Sequence, residues 1–254
     1  MSFVFPKHLI AFGLCLFTLF SGFAAAQTAP NKPGISFYVL RVIYPETEKK
    51  GVSLTAYNKS AAPYLMQSWI QPVDPVTGDV NMTNTDQGAM PFIVTPPLAR
   101  LEANSELTLR IRRNGEPLPT DRESVFFISM KAIPAQQETD KDAQAGQMAL
   151  TVVSNMKVFY RPEGLAKRAV ADVASQLSFR REGNVLIAEN PTPYWLTFSR
   201  LHVGASEMDK AQLRLMVPPK GLRQYRLPEG ATGKVSWQLI DEDGWDTPFK
   251  HQNL

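Results

Sequence analysis

The chain has 254 residues, 44% of them apolar and 20% charged, a balance that belongs to globular domains and excludes a disordered chain. Its 27 basic and 24 acidic residues leave a formal charge of +3 with no block of like charges, so no nucleic-acid-binding tail is expected. Twenty prolines disfavour long helices and favour strands and turns. A lone cysteine excludes an internal disulfide and a cysteine-based zinc site.

Lys7 and His8, the apolar run 9–20 and the small residues Ala24-Ala25-Ala26 read as a signal peptide over residues 1–26, cleaved before Gln27. The run is shorter than the ~20 residues of a membrane span, so export without membrane insertion is expected. Cleavage would remove Cys15 and leave a mature chain that needs no oxidising step to fold.

Short alternating segments follow. Ile35, Phe37 and Val39 alternate with smaller or polar neighbours, as do Val52, Leu54 and Ala56. Residues 64–70 form a third segment closed by Pro72, and residues 74–87, rich in Asp, Asn, Thr and Gly, read as a surface loop. Residues 92–94 are a short strand stopped by Pro96-Pro97. Leu107, Leu109 and Ile111 alternate with Thr108, Arg110 and Arg112, a half-buried strand with a basic outer face. Residues 124–133 read as an interior strand, and residues 148–160 as the longest strand of the chain. After a break at Arg161-Pro162-Glu163-Gly164, strand signals resume at 177–179, 185–187, 195–198, 213–217, 225–227 and 235–240. The spacing predicts an all-β protein of two immunoglobulin-like β-sandwich domains, over residues 27–162 and 163–254.

Chemistry is sparse. Beyond residue 26 there are two histidines, His202 and His251, and no cysteine, so neither a thiol nucleophile nor a metal site is expected. No G-x-S-x-G, Walker, H-E-x-x-H or G-x-G-x-x-G motif is present. The reading is a non-enzyme with no catalytic residues and no cofactor.

Two segments carry a specific signal: Leu118-Pro119-Thr120-Asp121-Arg122-Glu123-Ser124 with Lys131-Ala132-Ile133-Pro134, and Met156-Lys157-Val158-Phe159-Tyr160-Arg161-Pro162. With Pro63-Tyr64-Leu65, Pro91-Phe92-Ile93-Val94-Thr95-Pro96-Pro97 and Asn190-Pro191-Thr192-Pro193-Tyr194, they resemble the periplasmic pilus-assembly chaperones of chaperone–usher systems. The resemblance runs from Ile35 to about Gly244. It implies two domains set in an L around a cleft, a periplasmic location, pilin subunits as clients and an outer-membrane usher as the recipient. In that family an edge strand is lent to an incomplete pilin sandwich, covering an aggregation-prone groove. The short polar loop between Ile133 and Met148 resembles the short-loop branch of the family.

The resemblance also assigns residues. Met148, Leu150 and Val152 alternate with Ala149, Thr151 and Val153, so one row can fill client pockets while the backbone pairs; they are expected as the donor row, with Ala149 and Val153 facing inward. Taken without the resemblance, such apolar residues would by default face the protein's own core. Arg41 and Lys157 match the two cations that hold the client's C-terminal carboxylate. Lys157 has opposite parity to the donor row, and a bulge between Val152 and Lys157 would reconcile them. Glu123, Arg161 and Glu242 match an interdomain salt bridge, although Asp241-Glu242-Asp243 leaves open which acid pairs with Arg161. An exposed apolar edge also invites self-association of the free chaperone. The alternatives are a pilin or adhesin, which would carry a cysteine pair and one incomplete sandwich, and a carbohydrate-binding β-sandwich, which would need clustered exposed aromatics.

Overall fold

A computed structural model describes residues 34–80, 89–135 and 150–254. The proposed signal peptide, Met148 and most of the loop 134–147 lie outside the described residues.

Strand and turn chemistry divides the described chain into two sandwiches. In the first, β1 (Ile35–Ser36), β3 (Val52–Asn58), β7 (Glu106–Arg113) and β5 (Phe92–Thr95) form a four-stranded sheet in the order β1-β3-β7-β5. The facing sheet has the order β2-β9-β8-β4-β6, from β2 (Arg41–Pro45), β9 (Val152–Arg161), β8 (Ser124–Pro134), β4 (Tyr64–Pro72) and β6 (Leu98–Leu101). Alternation does the work expected of it: Leu54, Ala56, Leu109 and Ile111 are buried while Thr108, Arg110 and Arg112 face outward. Phe92 adds to this core from the same sheet, and Tyr44, Met66, Ile128 and Val158 complete it from the other sheet. Because β1 pairs with one sheet and β2 with the other, the chain crosses between sheets at Phe37 to Leu40, leaving Tyr38, Val39 and Leu40 exposed.

The second sandwich packs β10 (Ser178–Glu182), β11 (Val185–Asn190) and β14 (Gly221–Arg226) against β13 (Ser206–Glu207), β12 (Phe198–Val203), β15 (Val235–Leu239) and β16 (Lys250–Gln252). Phe198, Leu201, Tyr225, Trp237 and Leu239 fill its core. The Asn190-Pro191-Thr192-Pro193-Tyr194 segment is a structural turn. Fully buried Asn190 donates to the carbonyls of Tyr194 (2.7 Å) and Pro218 (3.0 Å) and accepts from the Thr192 amide (3.0 Å).

Among the described residues the α-helices are single turns, α1 (Val170–Val173) and α2 (Lys210–Leu213). The expected strand at 213–217 is not formed. Asp209 instead caps α2 by accepting from the Gln212 amide, and Pro218-Pro219 denies the ladder two donors. Only an isolated bridge between Leu196 and Val217 remains. The expected strand at 195–198 starts only at Phe198, the Trp195 amide being spent on the Glu123 carboxylate rather than on a ladder.

Candidate binding cleft

The candidate residues gather where β9 leaves the first sandwich. Arg41 opens β2, and the parallel register sets it directly opposite Lys157 of β9. The Arg41 guanidinium donates from Nη1 to the carbonyl of Ile240 in the second sandwich (3.0 Å) and lies 5.3 Å from the Phe159 ring centroid. Its Nε–H is buried without a partner among the described residues. Burial lowers the Arg41 pKa, opposed by the carboxylates of Glu242, Glu123 and Asp241, and a guanidinium so placed stays charged. Burial pushes the Lys157 ammonium down to about 8, Arg41 adds repulsion, and Asp79 partly offsets both. Two half-buried cations side by side repel each other and lack full solvation. An arriving carboxylate would relieve both costs at once.

The register also delimits a free edge. β8 pairs with β9 from Val152 to Tyr160 without a break, whereas β2 joins the other edge of β9 only from Lys157 onward. Among the described residues, nothing pairs with that edge from Val152 to Met156. Here one expectation is corrected. Met156, Val158 and Tyr160 belong to the core, and with no bulge in the ladder, parity puts Leu150 and Val152 on the same side of the strand. Val153, expected to face inward, pairs with Lys131 on the outer side, together with Asn155 and Lys157. Parity also explains how the even row escapes burial. At this end the sandwich is open: Val152 and Ser154 line a cavity of about 240 Å³ with Ile35, Phe37, Tyr64 and Met66, and Leu150 and Val152 remain 74% and 54% exposed. The apolar row thus continues the core row past the point where the protein's own core stops.

Behind the cations, Arg161 is buried between acids from both sandwiches. Its Nε lies 2.5 Å from Glu123 and its Nη2 lies 2.8 Å from Glu242, while Nη1 donates to the carbonyls of Ala166 (2.8 Å) and Lys167. Of the three acids, Glu242 reaches Arg161, and Asp243 pairs with Arg168 at the surface. Burial pushes the Glu123 carboxyl up, against the pull of Arg161. For Glu242, burial is outweighed by hydrogen bonds from Arg161 and the Ala169 amide, which hold it below the usual range.

Sequence reasoning missed the groups that complete this cluster. The Trp195 amide donates to Glu123 Oε2 (2.8 Å), and its indole Nε1 donates to the Glu123 carbonyl (3.1 Å). These are backbone and long-range partners that residue spacing does not encode. A second cavity, of about 820 Å³, lies between the sandwiches, lined by Asp79 and Asn155 on one side and Asp209, Gln212 and Arg214 on the other.

Known proteins carry the same architecture. Residues 34–166 match the model of the pili and flagellar-assembly chaperone PapD N-terminal domain, and residues 172–251 match the pili assembly chaperone PapD C-terminal domain. The chaperone protein FimC of Escherichia coli K12 is 34% identical over 236 residues, spanning 92% of this chain and 90% of its own length. FimB/FhaD of Bordetella pertussis is 36% identical over 83% of this chain and 84% of its own length. Among solved structures, the Salmonella enterica SafA pilin in complex with the SafB chaperone aligns at a TM-score of 0.74 and 30% identity, covering 89% of this chain and 99% of the matched one. The E. coli chaperone DraB aligns at 0.72 and 32% identity, covering 87% and 99%. Those relatives are chaperones rather than enzymes, and their two domains match these two sandwiches in order and over nearly their full length: the chain belongs to the family of pilus-assembly chaperones.

Proposed function

We propose that this chaperone is exported to the periplasm through cleavage before Gln27, captures pilin subunits by lending them the start of β9, and passes them to an outer-membrane usher. The register of β2 against β9 carries the reading. A client strand can pair with β9 only up to Met156, because β2 occupies the edge from Lys157. A client that ends there brings its terminal carboxylate to Arg41 and Lys157, so its strand runs parallel to β9. Leu150 and Val152, and by sequence parity Met148, then extend from the chaperone's core row into the client's apolar groove. Glu123, Arg161 and Glu242 act as the bridge that fixes one sandwich against the other while the client is held.

The family supplies the precedent of pilin clients, a SafA pilin having been solved with its chaperone. Usher delivery and the cleavage site rest on the family resemblance and on residues 1–26. A charge-assisted hydrogen bond contributes about 1.5–3 kcal/mol, so Arg41→Ala and Lys157→Ala should each weaken binding of a pilin C-terminal peptide by roughly ten- to a hundredfold while leaving the fold intact. Removing both should cost less than the sum, since they share one ligand. A C-terminally amidated peptide should bind parent and variants alike. Equal affinity of parent and both variants for the free-acid peptide would refute the anchor. N-terminal sequencing of periplasmic material should begin at or near Gln27.

A further inference from the structure

Among the described residues, both buried and exposed connections cross between the sandwiches, the exposed ones including Lys220 to Asp121 (2.8 Å). On the β2 side Arg41 reaches the Ile240 carbonyl, and at the end of β9 Arg161 joins Glu123 to Glu242. A further connection leaves β4, two strands away from β9 in the sheet. It is a hairpin tip over residues 73–80, closed by a Val73–Val80 bridge and by the Asp74 amide donating to the Asp79 carbonyl (2.8 Å). The Asp74 carboxylate accepts from the amides of Val76 (2.7 Å) and Thr77 (3.1 Å), so the tip is internally braced.

This tip rests on the second sandwich. Arg223 donates to the Pro75 carbonyl (3.1 Å), and Asp79 lies 3.5 Å from Arg214. Gly78 is buried at a positive φ of 69°, and a Cβ there would meet the Arg214 carbonyl oxygen at 2.5 Å, so the contact needs glycine. The Arg161 bridge is buried, but this connection is exposed: the Asp79 and Arg214 side chains are 44% and 65% accessible. Exposed ion pairs hold weakly and yield to salt. The tip also bounds the 820 Å³ cavity that opens beside Asn155 of β9.

We propose that the 73–80 hairpin is a salt-sensitive latch, which in the free chaperone holds the two sandwiches together along the β4 side of the cleft and slows client entry until it opens. Asp79 acts as the catch and Gly78 as the seat. The entry step rests on the proposed client-binding edge; the latch itself does not.

The test uses spin labels on exposed Glu102→Cys in the first sandwich and Glu229→Cys in the second, with the inter-label distance distribution measured in the free mature protein. Asp79→Asn removes the catch by charge, and Gly78→Val dislodges the seat by bulk. Both, and high salt in the parent, should broaden the distribution toward longer distances. Both should also speed association of a pilin C-terminal peptide at pH 6.5, where Lys157 is charged in every variant, by roughly 1.5- to fivefold, the equilibrium factor of an exposed ion pair. A distribution unmoved by either variant, or association no faster in either, overturns the latch. Loss of the edge reading is separately visible: Lys157→Ala would then bind the peptide as the parent does, whatever the labels report.

Discussion

Lys157 is held at a cost that can be measured without any client. Its ammonium sits at about 8 in the folded protein against an ordinary 10.5, so the folded state binds fewer protons than the unfolded state between those values. Each pKa step is about 1.4 kcal/mol, which makes the charged lysine a burden of roughly 3 kcal/mol below pH 8. The sign follows from linkage: stability should rise as pH climbs from about 8 to 10.5, because the folded protein releases its proton first. Lys157→Met keeps the apolar stem and removes the ammonium, so it should stabilise the free protein by roughly 2–3 kcal/mol at pH 7, with the advantage fading by pH 10.5. Urea denaturation of parent and variant across pH 6 to 10.5 reads this directly. A client carboxylate would restore the proton, so peptide affinity should fall as pH passes 8, and that pH dependence should vanish in Lys157→Met. A variant no more stable than the parent at pH 7 would refute the account of a strained cation.

The remaining predictions test the edge and its supports. Leu150→Glu should abolish client capture by placing a carboxylate in an apolar groove, yet leave the melting temperature near the parent value because Leu150 is 74% exposed; unfolding of the isolated variant would refute it. Arg161→Ala should destabilise by about 3–5 kcal/mol, because it strands the buried Glu123 carboxylate; adding Glu123→Gln should recover part of that loss in denaturation experiments. Asn190→Ala should cost about 1–3 kcal/mol in stability without altering peptide affinity, since its bonds hold a turn of the second sandwich.

What was legible in the sequence was period and punctuation. Leu107, Leu109 and Ile111 against Thr108, Arg110 and Arg112 declare a half-buried strand, and it forms. The 213–217 segment shows the limit: its apolar alternation reads as a strand, but an Asp209 cap and two prolines decide locally against it. The cation pair was not legible from spacing, since Arg41 and Lys157 are 116 positions apart in the sequence and only a parallel ladder joins them. The family resemblance named them, and parity already set Lys157 on the face opposite the apolar row unless a bulge intervened. The register was needed to show that no bulge intervenes and that the even row continues the core face.

The opposite parity of Lys157 and Leu150 has a physical use. A strand edge with exposed apolar residues invites any extended chain to pair with it, so the edge alone would bind without discrimination and would favour a second copy of the chaperone. Among the described residues, the strand edge of β9 left free by β2 runs from Val152 to Met156, and ladder bonds over so short a stretch hold a partner weakly by themselves. In the proposed binding mode, what a proper client adds would come from the two faces. Its groove would cover the apolar row on one side, and its terminal carboxylate would relieve the repelled, desolvated cations on the other. A strand passing through without a free end would gain the first and not the second. On that reading, the cost carried by Lys157 in the free protein would make a chain terminus, rather than any β-strand, the preferred guest.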